Sequence, residues 1–191
     1  IVITTKKENP KRSKFNTIGL SISTSYLLLT LIFKWVSFQK FEEGLINQEI
    51  EYVEMDTKPS PLNAILWSSL IETDKGFRTA YYSLFDNKEI IYSKEFPKNH
   101  ELIKPFLDQK VVQQLIDISA GWYRIEERNG KLLFWDLRFG QMGVDVDTSA
   151  FLWYYELNID KNGIASAVKR QPEIKNMSGM FSKLIERIKG Y

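Results

Sequence analysis

The chain has 191 residues, 43% of them hydrophobic, which is enough for one domain plus an accessory segment and too apolar for wholesale disorder. It contains no Cys, which excludes disulfides, thiolate nucleophiles and cysteine-ligated zinc or iron–sulfur sites and leaves the redox compartment open. Its net charge of +2 is unevenly placed: Lys6, Lys7, Lys11, Arg12 and Lys14 against Glu8 give residues 1–14 a charge of +4, leaving −2 for the rest, so no nucleic-acid partner is expected.

The sequence opens on Ile1-Val2-Ile3-Thr4-Thr5, which lacks the form of a signal-peptide n-region, so the chain reads as the C-terminal piece of a larger membrane protein. Residues 1–14 are a basic lead. Residues 15–38 follow, apolar at Ile18, Leu20, Ile22, Tyr26 to Leu29, Leu31 to Phe33, Trp35 and Val36, with no charge before Lys34. They reach the ~20 residues that a membrane span needs if Lys34 snorkels to the interface beside Trp35. The apolar spacing continues through Phe38, Phe41 and Leu45, so residues 15–47 are expected to form one helix that leaves the bilayer as an amphipathic stalk. Because Ser21, Ser23, Thr24 and Ser25 dilute the run, the competing expectation is an amphipathic helix packed on its own domain or lying along a membrane surface. Basic residues precede the helix, and only acids (Glu42, Glu43, Glu49, Glu51, Glu54, Asp56) follow within residues 42–56, which predicts a cytoplasmic lead and an extracytoplasmic domain.

Residues 48–191 are expected to be a soluble domain of the α+β class, an antiparallel meander sheet with one main packed helix and a short C-terminal helix. Residues 47–56 read as the stalk end passing into a short strand, and Pro59 and Pro61 then punctuate the chain. Residues 64–73 and 77–85 flank Asp74-Lys75-Gly76 as a hairpin, and residues 89–95 extend the meander. Asn99 is placed to cap a helix in which Ile103, Leu107, Val111, Leu115 and Ile118 share a face, Pro105 kinks or restarts the helix and Gly121 ends it. Residues 122–128 and 131–139 flank Asn129-Gly130, the strongest short hairpin signal, since a type I′ turn needs positive φ at both central positions. Residues 151–159 and 164–169 flank Asp160-Lys161-Asn162-Gly163 as a second hairpin. Ser178 opens a helix with Met180, Phe181, Leu184, Ile185 and Ile188 on one face, ending at Gly190.

Chemistry is sparse along this frame. His100 is the sole histidine and is expected to be an exposed residue at a helix start, so no His-rich metal site is available. Asp136, Asp145 and Asp147 form the one candidate oxygen cluster for a hard cation, and Asp145 and Asp147, in a Gly-rich loop between hairpins, read more readily as solvated turn aspartates. No Gly-x-Ser-x-Gly elbow is present, and Gly140-Gln141-Met142-Gly143 lacks the Lys-Ser/Thr pair and helix of a phosphate loop. Among 24 acids no carboxylate pair stands out, and no catalytic residue is assigned.

Two segments are locally unusual: residues 57–67, Thr-Lys-Pro-Ser-Pro-Leu-Asn-Ala-Ile-Leu-Trp, and residues 134–140, Phe-Trp-Asp-Leu-Arg-Phe-Gly. They resemble signature segments of the bacterial membrane-bound, metal-dependent hydrolases of the YdjM type, in which a Pro-x-Pro-x-Asn…Trp element is followed by an Asp-Leu-Arg-x-Gly strand, and Tyr81-Tyr82-Ser83-Leu84-Phe85-Asp86 resembles the hairpin between them. The resemblance covers residues 15–159. It implies a bacterial inner-membrane location, with residues 15–38 as the last helix of an upstream membrane bundle. Pro59, Pro61, Asn63 and Trp67 become the domain entrance, Gly140 a loop glycine, and Asp136 and Arg138 candidate substrate-binding residues. The family's metal ligands lie in an N-terminal His-Arg…His-Ser element that this sequence does not contain. A divalent metal therefore belongs to the upstream portion, no cofactor is expected in this chain, and the domain is expected to be inactive alone and to cover or shape a site in the bundle.

Asp136 and Arg138 are two apart on a strand and so share a face. They are expected either to form a structural ion pair that fixes the Gly140 loop or to present the Arg138 fork to an anionic substrate group. A different class of function competes: a membrane-anchored binding or sensor domain in which Trp67, Tyr81, Trp135 and Trp153 hold an apolar or lipid ligand, unless those rings are spent on core packing.

Overall fold

The protein is described by a computed structural model that covers residues 11–160, 163, 165–173 and 177–190; most of the basic lead, and Lys161, Asn162 and Ile164 of the last hairpin, lie outside the described residues. Helix α1 (Lys11–Asn47) is a single helix of 37 residues, about 55 Å long at 1.5 Å per residue. From Ser13 to Asn47 it is long and apolar enough to cross a membrane. Up to Ile32 its apolar side chains are exposed and distributed around the whole circumference: successive residues Tyr26, Leu27, Leu28 and Leu29 point in four directions. From Phe33 onward one stripe, Phe33, Ser37, Phe41 and Leu45, is covered at four-residue spacing. The helix therefore changes character at Lys34, from apolar all round to one-sided.

The covered stripe packs on the first sheet, an antiparallel meander of β1 (Glu54–Pro59), β2 (Leu66–Glu72), β3 (Gly76–Ser83) and β4 (Phe96–Pro97). Strand alternation gives it two faces. Met55, Trp67, Ile71, Ala80 and Tyr82 meet Phe41 and Leu45, while Asp56, Lys58, Leu70, Thr79 and Tyr81 point to the other side. The Tyr92 hydroxyl donates to the Phe41 carbonyl at 2.6 Å, and Gln48 Nε2 donates to the Ile90 carbonyl at 2.8 Å. Gly44 makes this approach feasible, since a Cβ there would sit 2.6 Å from the Tyr92 hydroxyl oxygen.

The strand expected at residues 89–95 is reduced to a single bridge between Tyr92 and Ala80, followed by the two-residue β4. The Ser93 hydroxyl accepts the Thr79 N–H at 2.9 Å, and a side chain thus occupies the ladder position that a carbonyl would fill. The Asp74 turn forms as expected. Gly76 is required there because a Cβ would lie 2.4 Å from the Phe96 carbonyl oxygen.

The predicted central helix divides after Phe106 into a 3-10 helix (His100–Phe106), which contains Pro105, and α2 (Lys110–Ser119). Asn99 does not cap: it takes a left-handed φ of 49°, and its amide donates to the Ile125 carbonyl at 3.0 Å. The tighter 3-10 turn shifts the helical phase, so Ile103, Val112 and Leu115 are buried while Leu107 and Ile118 face outward. Gln109 ties α2 to the last hairpin through its amide donation to the Gly163 carbonyl at 2.7 Å.

A second antiparallel meander contains β5 (Tyr123–Arg128), β6 (Lys131–Gln141), β7 (Phe151–Ile159) and β8 (Ala165–Arg170). Asn129 and Gly130 adopt φ of 53° and 73°, the positive pair of a type I′ turn. The α+β class and the antiparallel meander hold, with the strands shared between two four-stranded sheets rather than joined in one. α2 covers one face of the second sheet at Ile125, Phe134 and Leu157. The opposite face meets the first sheet through Leu70, Phe77, Leu133, Trp135, Leu137 and Phe151. Helix α3 (Met177–Ile188) closes one end of the gap between them.

Candidate functional site

The Pro-x-Pro-x-Asn segment is the connection between β1 and β2. Pro59 ends β1 opposite Trp67, and the Ser60 N–H donates to the Leu66 carbonyl at 2.8 Å. Asn63 organises the rest: its Oδ1 accepts the N–H groups of Ile65 and Leu66 at 3.0 and 2.7 Å, and its Nδ2 donates to the Pro61 carbonyl at 3.1 Å. Leu62 at the tip holds a φ of 64° and is 92% exposed. Trp67 is buried against α1, its indole N–H donating to the Ala64 carbonyl at 3.1 Å.

The Asp-Leu-Arg-x-Gly segment is the distal half of β6, where the register against β7 breaks between Asp136 and Gln141. Gly140, at φ 73°, allows the bulge. Asp136 is buried and grips Arg138: Oδ1 accepts the guanidinium Nε–H at 3.0 Å and the Arg138 backbone N–H at 3.2 Å, and Oδ2 accepts Nη2–H at 2.7 Å. The hydrogen bond to Asp136 raises the Arg138 pKa above its ordinary value. The Nε and Nη2 side of the guanidinium is thereby held by Asp136 within the strand, next to the bulge. Arg138→Lys removes one of the two parallel bonds and is expected to lower stability by ~1.5 kcal/mol, a fall in Tm of about 3–6 °C. An unchanged melting curve would remove the pair from the account of the bulge.

These two segments, far apart in sequence, meet. Lys58 pairs with Asp56 and donates from Nζ to the Arg138 carbonyl at 3.1 Å. Between them lies a cleft of about 420 Å³, within the ~300–1,000 Å³ of small-molecule sites. Its walls are mainly apolar: Leu70 from β2, Leu137 from β6, Met142 and Val144 from the following loop, Leu152 from β7 and Leu184 from α3. Tyr81 lines it from β3, its hydroxyl donating to the Gly143 carbonyl at 2.8 Å, and burial pushes the phenol pKa above its ordinary value. Thr79 donates to Gln141 Oε1 at 2.9 Å, and Gln141 Nε2 donates to the Ser149 carbonyl at 2.8 Å, holding the loop after β6. The far end of α3 is anchored by Arg187, whose Nη1 and Nη2 donate to Asp86 Oδ1 and Oδ2 at 2.7 and 2.6 Å.

The remaining candidates are dispersed. Trp67 and Trp135 are buried in two separate cores, and Trp153 lies under Lys169, whose Nζ is 3.9 Å from the ring centroid, so of the four aromatics only Tyr81 reaches the cleft. His100 is half-buried rather than exposed, stacked on Tyr123 with ring centroids 4.0 Å apart and Nε2 2.8 Å from the Tyr123 carbonyl oxygen. Asp136, Asp145 and Asp147 do not converge: Asp147 accepts the Lys94 N–H at 2.7 Å, and Asp145 closes its own turn by accepting the N–H groups of Asp147 and Thr148. That turn, chiefly through Thr148, lowers the Asp145 pKa. Among the described residues no group of three His, Asp or Glu side chains is placed to hold a metal ion.

Sequence reasoning missed Ser60, Leu62 and the Asp86–Arg187 clamp. Ser60 was hidden inside the proline motif, although continuing the β1 alternation of Asp56 and Lys58 puts it on the cleft side. No family model matches the chain, nor does any curated protein or solved structure.

Proposed function

We propose that this chain is the tether and extramembrane domain of a bacterial membrane-bound, metal-dependent hydrolase of the kind its motifs resemble, and that the domain covers or shapes a site held by an upstream membrane portion. The observation that carries the reading is the convergence of residues 57–67 and 134–140, the two segments on which the resemblance rests, at the rim of one cleft. α1 supports it. Nineteen uncharged residues, 15–33, span about 28 Å as a helix, close to the ~30 Å of a hydrocarbon core, and their all-round apolar character suits lipid on every side better than an interface. The helix then enters the first-sheet core without a linker, which in this reading sets the domain against the bilayer surface, and the charge asymmetry favours the side away from the cytoplasm.

The reading frame upstream of Ile1 tests the assignment. Several apolar helices with paired His and Asp are expected, and membranes carrying the whole protein should hydrolyse substrate in a way that chelation abolishes and a divalent metal restores. A start codon close to Ile1 with no such helices would sink the hydrolase reading. Because the chain has no Cys, a single Glu127→Cys on exposed β5 reports the side: labelling by an impermeant maleimide in intact spheroplasts is expected, and protection until lysis would reverse the topology.

A second reading, a membrane-anchored binding domain for an apolar or lipid ligand, is favoured by the apolar cleft itself and would stand without the upstream bundle.

A further inference from the structure

We infer that the cleft between the two sheets holds the acyl chain of a single-chain amphiphile, whose oxygen-bearing end accepts a hydrogen bond from Ser60 Oγ. The inference deepens the membrane-anchored reading and takes from it only the source of the ligand, a bilayer beside the domain.

Four observations converge. The cleft has the volume of a small-molecule site and walls of aliphatic and Met side chains, which accommodate a flexible chain and offer a peptide few partners for its backbone groups. Ser60 is 5% exposed, lines this cleft, and its hydroxyl has no hydrogen-bond partner. A buried, unpaired hydroxyl is costly in a finished structure, and a ligand oxygen would complete it. Leu62, Phe139 and Phe181 also line the cleft and stay largely exposed, giving it an apolar lip. Finally, the charges at the rim are internally matched: Lys58 with Asp56, Arg138 with Asp136. Among the described residues that line the cleft, no unmatched cation remains for a polyanion such as a nucleotide, whereas a carboxyl, ester or amide oxygen needs only the hydroxyl.

The full chain in phosphatidylcholine nanodiscs, exposed to hexadecanoic acid carrying a mid-chain diazirine and irradiated, tests this by peptide mapping. Saturable adducts are expected within residues 137–144 and 180–184, together with adducts on residues 15–33 from the surrounding lipid phase. Met142→Trp fills the cleft and should abolish the first set only. Adducts on 15–33 alone would overturn the inference and leave the tether standing; adducts in the cleft alone would keep the inference and overturn the tether. Cleft adducts that persist in Met142→Trp would also overturn it.

Ser60→Ala supplies a readout that a purely structural role would not give. Removing an unpaired buried hydroxyl should raise the Tm of the ligand-free protein by about 2–4 °C while weakening hexadecanoate about tenfold and leaving hexadecane unchanged. Equal affinity for the acid in wild type and Ser60→Ala would overturn the hydroxyl's role. Each two-carbon shortening of the acid should weaken binding roughly tenfold, and a flat chain-length series would overturn the acyl pocket.

Discussion

Arg187→Met is expected to destabilise the domain by ~3–5 kcal/mol, lowering Tm by roughly 10 °C, because it removes the bidentate cationic partner of the buried Asp86 carboxylate. The two side chains are 5% and 3% exposed, and the fork is bidentate. Arg187 also donates from Nη2 to the Tyr81 carbonyl at 2.7 Å, and the Ser83 hydroxyl donates to the Ile188 carbonyl at 2.6 Å, so one cluster pins the end of α3 to the end of β3. Thermal unfolding of the full chain in detergent checks the size of the effect. The double variant Arg187→Met/Asp86→Leu separates charge from packing: with both charges gone, it should melt above either single variant. Singles that each fall by less than about 1 kcal/mol would mean that water reaches the pair. Since α3 brings Leu184 and Phe181 to the cleft, the single variants should also lose acyl labelling within residues 137–144.

That clamp was invisible in the sequence, and the reason is instructive. Asn129-Gly130 was legible because the requirement is local: two adjacent residues must adopt positive φ, and few residue types do so cheaply. The helical period around Leu115 was legible in the same way, but its phase was lost where Pro105 drew the preceding turn into a 3-10 helix. Residues 89–95 carried a plausible strand pattern and failed because Ser93 supplied a side-chain oxygen to the ladder, a competition that propensity does not register. Periodicity identifies which residues share a face but not what covers that face. Hence Phe41 and Leu45 are legible as apolar positions on a stalk or on a helix packed against its own domain, but Trp67 and Tyr82 are not legible as the residues that cover them. Asp136 and Arg138 were correctly placed on one side of one strand, and the choice between an open fork and a closed pair needed side-chain geometry. Asp86 and Arg187 are 101 residues apart, and no pattern in either neighbourhood points to the other.

Phe41→Ala is expected to cost about 3–5 kcal/mol, the usual range for emptying a fully buried aromatic site. Phe41 has no exposed surface, meets Tyr82 edge-on with centroids 6.1 Å apart, and sits where the Tyr92 hydroxyl reaches its carbonyl. The substitution loosens the junction of helix and sheet without touching residues 15–33. Tm should therefore fall by about 10 °C while the protein stays in the membrane fraction. The converse variant is Leu28→Arg. Leu28 is 58% exposed and its apolar neighbours from Leu20 to Ile32 are exposed too, so the unfolding of the domain should not change. A central arginine opposes insertion by ~2.5–3.5 kcal/mol on translocon scales, and membrane retention should drop sharply. If Leu28→Arg lowered the domain's Tm as much as Phe41→Ala, the apolar half of α1 would be core rather than tether. If Phe41→Ala released the protein from the membrane, the domain itself would be holding the bilayer. The paired outcome separates the two halves of one unbroken helix, one expected to answer to lipid and the other packed on Trp67, Ile71 and Tyr82.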